Sequence, residues 1–202
     1  MPIDFDFDTP SAKVVSPIRL AHVVLRTNNF KTMVNFYKTF LGAKANYENE
    51  FLSFLTYDNE HHRIAIAALP GTGPKTTKTC GLEHIAFTFT FEDLFLAYRQ
   101  RKARGIEPSW CVNHGVTTSI YYHDPDGNML ETQVDSFSTP EEATAFMMSK
   151  EFAENPIGAD FDPEDHIARL KRGESIASIL KRPNVGPRGP DSLPPRMLGL
   201  DE

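Results

Sequence analysis

With 202 residues, 40% of them hydrophobic, the chain can bury one sizeable core and has length left for an appendage. A net charge of −6 and the lack of any clustered Lys and Arg argue against binding a phosphate backbone, so no nucleic-acid partner is expected. No apolar run approaches the roughly 20 residues that span a bilayer, and the acidic N-terminus is unlike a secretory signal. Cys80 and Cys111 make no disulfide framework, so a reduced, cytoplasmic setting is the expectation.

In chain order, residues 20–27 form a β-branched run with His22 at its third position, which predicts a buried strand. Asn28 or Asn29 can cap a following helix, where Phe30, Met33, Val34, Phe36 and Tyr37 recur at helical spacing up to Leu41-Gly42. Three short strands, roughly 44–49, 51–57 and 62–69, then complete a unit, and a polar linker follows at 70–80. The order then repeats. Residues 82–89 are a strand with His84 at the third position, and a helix with a basic end runs from Phe91 to Arg104 and closes on Gly105. Strands follow at roughly 107–112, 117–123 and 128–134, with a turn at residues 124–128. Beyond 137 the strand pattern stops, and helices are expected near 139–150, 163–172 and 175–180. The end, Pro183 to Glu202, holds five of the fifteen prolines and reads as extended.

Six of the seven histidines lie between residues 22 and 123, and the repeat gives two of them equivalent places. His22 and His84 coincide on the first strands of the two units, and Ala65 and Glu131 coincide on the last strands, with spacings that agree to within four residues. Folded face to face, the units would bring His22, His84 and Glu131 together, with Ala65 where a fourth ligand could sit. Two imidazoles and one carboxylate leave one face of an octahedral ion open, the arrangement used by non-haem Fe(II) oxygenases. A lone carboxylate in an apolar strand such as 129–134 also needs a cation partner. These three side chains are therefore the expected metal ligands.

The segments 20–25, 61–70 and 121–131 carry a resemblance to the vicinal oxygen chelate superfamily, and within it to the catalytic half of type I extradiol dioxygenases. The resemblance covers about residues 16–136. It implies an α+β fold of two tandem β-α-β-β-β modules (about 18–70 and 80–136) forming a pseudo-twofold open barrel. Residues 1–136 would be that domain, and 137–202 a helical, Pro-rich C-terminal extension. It implies Fe(II), with Mn(II) as the alternative that the same ligands suit, acting on a catechol-type diol and O2. By the family pattern His62 is the acid–base group beside the O2 site, Tyr121 hydrogen-bonds the bound diol, and His114 contacts substrate from the preceding strand. His114 stands about two residues closer to the tyrosine than that pattern expects. His61 reads equally as a support for His62 or as surface, and Trp110 and Phe137 as pocket lining or packing.

Two rival readings remain at this level. A lyase, isomerase or epimerase of the same superfamily would usually want a fourth protein ligand, against which Ala65 argues. A metal-free drug-sequestering protein would not need His, His and Glu at the inward positions. The chain has no room for the second pair of modules found in two-domain extradiol enzymes. The subunit count stays open. The tail would act either as a lid or as a contact with a neighbouring copy in a homo-oligomer, with burial of Phe146, Met147, Phe152 and Phe161 expected in both cases.

Overall fold

The computed structural model describes residues 14–76 and 79–198. The first module runs β1 (Val23–Thr27), α1 (Phe30–Leu41), β2 (Lys44–Glu48), β3 (Leu52–Thr56) and β4 (Ile64–Ala68). The second runs β5 (His84–Thr88), α2 (Phe91–Lys102), β6 (Trp110–Asn113), β7 (Thr117–His123) and β8 (Met129–Asp135). Each makes a mixed sheet of the same plan, β1-β4-β3-β2 and β5-β8-β7-β6, with β1/β4 and β5/β8 parallel and the remaining pairs antiparallel. The predicted two-module α+β architecture is the one observed, and no barrel closes.

Strand alternation gives each sheet two unlike faces. One carries Leu25, Leu55, Ile64 and Ile66 in the first sheet, and Phe87, Ile120, Tyr122, Leu130 and Val134 in the second. All of these join a single core with Met33, Val34, Tyr37 and Phe40 of α1 and Phe91, Leu94, Phe95 and Tyr98 of α2. Two polar ties hold the modules together across this core. Arg101, almost fully buried, lies 4.0 Å over the Phe40 ring and donates from Nε and Nη2 to the Phe40 carbonyl at 3.0 and 2.8 Å. Tyr37 donates to Asp124 Oδ2 at 2.9 Å, and Asp124 also gathers the amide and side chain of Asn128. The turn predicted at 124–128 is thus fixed from the other module.

The opposite face carries the candidate site residues His84, Tyr121 and Glu131. Register places Val24 opposite Ala65 and Ala86 opposite Glu131, so the equivalence inferred from the repeat holds in the hydrogen-bonded ladders themselves.

The tail departs from the expected pattern. The helix expected over 139–150 is two, α3 (Pro140–Met147) and α4 (Lys150–Glu154), because Ser149 caps a new helix by accepting from the Phe152 amide. A strand that the sequence did not announce, β9 (Ala159–Asp160), then adds to the free edge of β6. Gly158 enters it with φ +112, where a Cβ would lie 2.3 Å from the Asn113 carbonyl oxygen, so only glycine fits. Two further helices, α5 (Pro163–Lys171) and α6 (Ile176–Leu180), bury Ile167, Ile179 and Leu180 in the common core. Phe146, Phe152 and Phe161 are half-buried and Met147 is exposed, so the tail packs on its own second module.

One side chain pins this tail. Arg182 is buried and donates to the carbonyls of His114 (3.2 Å), Asn155 (2.7 Å) and Glu151 (3.2 Å), with its guanidinium 5.1 Å from the Phe146 ring. Replacing it with methionine keeps the bulk but leaves buried carbonyls without donors, a loss of about 3 kcal/mol. Arg182→Met should lower the melting temperature by roughly 6–12 °C, followed by circular dichroism. An unchanged melting curve would show that these bonds do not hold the tail.

Candidate metal centre

The site face of the second sheet brings together His84 on β5, Glu131 on β8, Tyr121 and Ser119 on β7, and Trp110 on β6. The ladders set Tyr121 directly opposite Glu131, and Trp110 opposite Tyr121. Glu131 is buried in the middle of the sheet, where an isolated carboxylate would be costly. Its Oε2 lies 3.0 Å from His84 Nε2. Burial pushes the Glu131 carboxyl up, but hydrogen bonds from His84 and from Ser119 outweigh it and hold the carboxyl below its usual range. The hydrogen bond to Glu131 in turn raises His84 to about 9, against the effect of burial. Without a metal, the proton on His84 is the cation that Glu131 needs.

Glu83 fixes the other side of this imidazole through a short contact with Nδ1. An outer carboxylate on Nδ1 that leaves Nε2 aimed at a second ligand is the arrangement usual for metal-binding histidines. Nothing in the repeat pointed to Glu83, whose only signal was adjacency to His84.

His22 stands apart from this pair. It lies just before β1, exposed, with its ring centroid 4.2 Å from that of His62. Its backbone neighbourhood borders a crevice of ≈ 190 Å³ shared with Ile85, Ala86 and Phe87 of β5. Among the described residues no group of three His, Cys, Asp or Glu side chains is placed to hold an ion. His84 and Glu131 thus fit two adjacent ligand positions in chemistry and orientation, and the structure does not bring His22 to them. Ala65 is buried between Val24 and Phe54 and offers no donor.

His62 is buried, sandwiched between the His22 ring and the Phe54 ring, the latter stacked at 4.4 Å. Burial, then the neighbouring His22 and His61, lower its pKa and favour the neutral imidazole. His61 Nδ1 and His62 Nδ1 are 2.6 Å apart, so one donates and the other accepts, and the exposed His61 orients His62.

His114 and Tyr121 form a second pair. His114 Nδ1 lies 2.5 Å from the Ile157 carbonyl oxygen and Nε2 lies 3.0 Å from Tyr121 Oη. A carbonyl only accepts, so Nδ1 carries the proton. Burial lowers the His114 pKa and leaves the ring neutral, so Nε2 is bare and Tyr121 donates to it. Burial and the nearby Glu131 raise the Tyr121 phenol well above its usual value. The partner that orients His114 comes from the tail, and a backbone carbonyl leaves no trace in a motif. Trp110 stacks on Tyr121 at 5.3 Å, whereas Phe137 packs on Phe146 in the tail.

The chain is similar to known proteins over most of its length. The family model described as "Glyoxalase/Bleomycin resistance protein/Dioxygenase superfamily" matches residues 19–132. Biphenyl-2,3-diol 1,2-dioxygenase 2 of Rhodococcus globerulus is 44% identical over 184 residues, covering 90% of this chain and 96% of that protein. Biphenyl-2,3-diol 1,2-dioxygenase 3 of the same organism is 51% identical over 167 residues, covering 81% and 88%. Among solved structures, a glyoxylase/bleomycin resistance protein/dioxygenase domain from Frankia sp. EAN1pec aligns with TM-score 0.52 at 18% identity, over 61% of this chain and 96% of that one. The fosfomycin resistance protein FosX of Listeria monocytogenes aligns with TM-score 0.51 at 21% identity, over 65% and 99%. These two likenesses establish the fold.

Nitrogen-detected NMR of the metal-free protein near pH 7.5 should find His114 neutral with the proton on Nδ1. A proton on Nε2 would contradict the donor order Tyr121 to His114 to Ile157.

Proposed function

The chain belongs to the glyoxalase/bleomycin resistance protein/dioxygenase superfamily, and we propose that it is an extradiol dioxygenase opening the ring of a catechol-type aromatic with O2. The observation that carries this reading is the buried His84–Glu131 pair beside Tyr121 and His114, in a chain 44–51% identical to biphenyl-2,3-diol 1,2-dioxygenases. The same reading takes residues 1–136 as the catalytic domain and 137–202 as its tail. Among the described residues no helix is long and apolar enough to cross a membrane.

Fe(II) would be held by His22, His84 and Glu131, with His22 turning from His62 toward the crevice it shares with β5. Mn(II) suits the same set. When bound, Fe(II) couples a spin-paired diol to O2, which has two unpaired electrons, and polarises the diol oxygens. The chain's residues do the rest. A cation held there would give Glu131 the positive partner that its burial demands and that His84 supplies in the metal-free protein. Tyr121 reaches a diol oxygen with its hydroxyl, and the bare Nε2 of His114 holds that hydroxyl in place until substrate arrives. His62, neutral at pH 7, takes a proton from the diol and returns it as the ring opens. In the product the carbon–carbon bond beside the diol is broken, and both atoms of O2 are incorporated.

Ala65 also supports this reading, because a side chain without a donor keeps ligand positions free for both reactants.

Protein loaded anaerobically with Fe(II) should consume O2 on addition of 2,3-dihydroxybiphenyl, with a yellow ring-fission product in equal amount. His62→Ala should keep its iron and lose about 10²–10⁴-fold in kcat. Normal turnover by that variant would remove His62 from the acid–base role. Absence of uptake with iron bound would remove the dioxygenase reading.

A further inference from the structure

One buried polar side chain of the tail has no part in the chemistry so far described. Asn155 caps the end of α4 and is 5% exposed. Its Oδ1 accepts from the Gly158 amide at 2.7 Å, and its Nδ2 donates to the carbonyls of Gly158 and Gly186, both at 3.1 Å. An amide N–H only donates and a carbonyl only accepts, so these three bonds allow the carboxamide a single orientation. The Asn155 carbonyl receives the buried Arg182 guanidinium at 2.7 Å, which holds the residue from its backbone side as well.

The Gly158 amide shares its peptide plane with the Ile157 carbonyl. That bond is trans, and in a trans peptide the N–H and the C=O point in opposite directions. One edge of the plane is therefore held by Asn155, while the other edge meets His114 Nδ1 at 2.5 Å. Gly158 makes the close approach possible, since a Cβ on it would lie 2.9 Å from His114 Cα. Glycine also leaves the plane freer to rotate than any other residue would, so its direction has to come from a partner. Arg188 bonds the Gly158 carbonyl, which belongs to the next peptide, and does not fix this one.

We propose that Asn155 is a positioning residue for the site, fixing the direction of the Tyr121–His114 hydrogen bond by pinning the Ile157–Gly158 peptide. With the Ile157 carbonyl aimed at Nδ1, His114 keeps its proton there and Nε2 accepts from Tyr121 Oη at 3.0 Å. Were the plane to turn, Nδ1 would lose its acceptor, and the proton would find one in Tyr121 Oη by moving to Nε2. The bond would then reverse, with His114 donating and Tyr121 accepting. The effect on the tautomer stands on geometry alone, whereas the effect on turnover rests on the dioxygenase reading above.

Asn155→Ala and Asn155→Ser separate this role from plain support of the fold. Both lose the Nδ2 donors, and only serine keeps an oxygen able to accept from an amide three residues on, as a helix-capping serine does. Nitrogen-detected NMR of the metal-free proteins should find the His114 proton on Nδ1 in the unchanged protein and in Asn155→Ser. In Asn155→Ala the Nε2 tautomer should become the main form. The same tautomer in all three would overturn the proposal, because a fall in melting temperature alone is what a merely structural asparagine would give. Should Asn155→Ala not fold, hydrogen exchange in the unchanged protein still decides. The Gly158 amide should exchange at least about 100-fold more slowly than in an unstructured chain, and unprotected exchange would overturn the pin.

Turnover gives the second arm. Loaded with Fe(II) to the same content, Asn155→Ala should lose about tenfold in kcat for 2,3-dihydroxybiphenyl, and Asn155→Ser should stay within about threefold of the unchanged protein. Full kcat in an Asn155→Ala protein with the shifted tautomer would overturn the role in the site. If the tautomer shifted but not even the unchanged protein consumed O2, the pin would stand and the dioxygenase reading would fall.

Discussion

A carboxylate buried inside a β-sheet must have a positive partner, and Glu131 imposes that constraint on everything around it. His84 meets it across the parallel β5/β8 ladder, Glu83 holds the far side of His84, and Ser119 supports the carboxylate from β7. An ion that replaces a proton satisfies the same demand, so a single electrostatic need explains both the metal-free arrangement and the proposed iron site. The duplicated module sharpens the point. The equivalent of Glu131 in the first sheet is Ala65, and its ladder partners Val24 and Phe54 are apolar, so no buried charge there calls for a partner.

Division of labour between the two sheet faces follows from the same architecture. The helix-packed faces share one core, tied by Arg101 on the Phe40 carbonyl and Tyr37 on Asp124, so the relative placement of the modules is set away from the chemistry. The other faces are then free to carry polar groups. On the second sheet the tail takes over part of that face and supplies the Ile157 carbonyl that dictates which nitrogen of His114 is bare. A segment with no place in the repeated module thereby sets the proton arrangement at Tyr121.

Most of the frame was legible because it obeys periodicity. Alternating strands, the 3.6-residue spacing from Phe30 to Leu41 and the duplicated His positions give two modules in order, and the ladders confirm the equivalence of Ala65 and Glu131. What escaped has physical reasons. The break at Ser149 is a cap inside a run that otherwise favours helix, and β9 is two residues long and exists only because β6 has an unpaired edge. The roles of Ile157 and Arg182 rest on backbone carbonyls, which any sequence possesses. His22 shows the opposite limit. Repeat symmetry assigns it to the ligand set, yet its ring lies against His62, while Glu131 is already paired with His84.

That third ligand is where the account is most exposed. The direct measurement is iron content after anaerobic loading and desalting, for the unchanged protein and for His22→Ala. The account predicts about one iron per chain in the former and less than about a tenth of that in the latter, because two adjacent ligands hold Fe(II) too weakly to survive desalting. Full retention of iron by His22→Ala would contradict a site closed by both modules and would leave the metal to the second sheet alone.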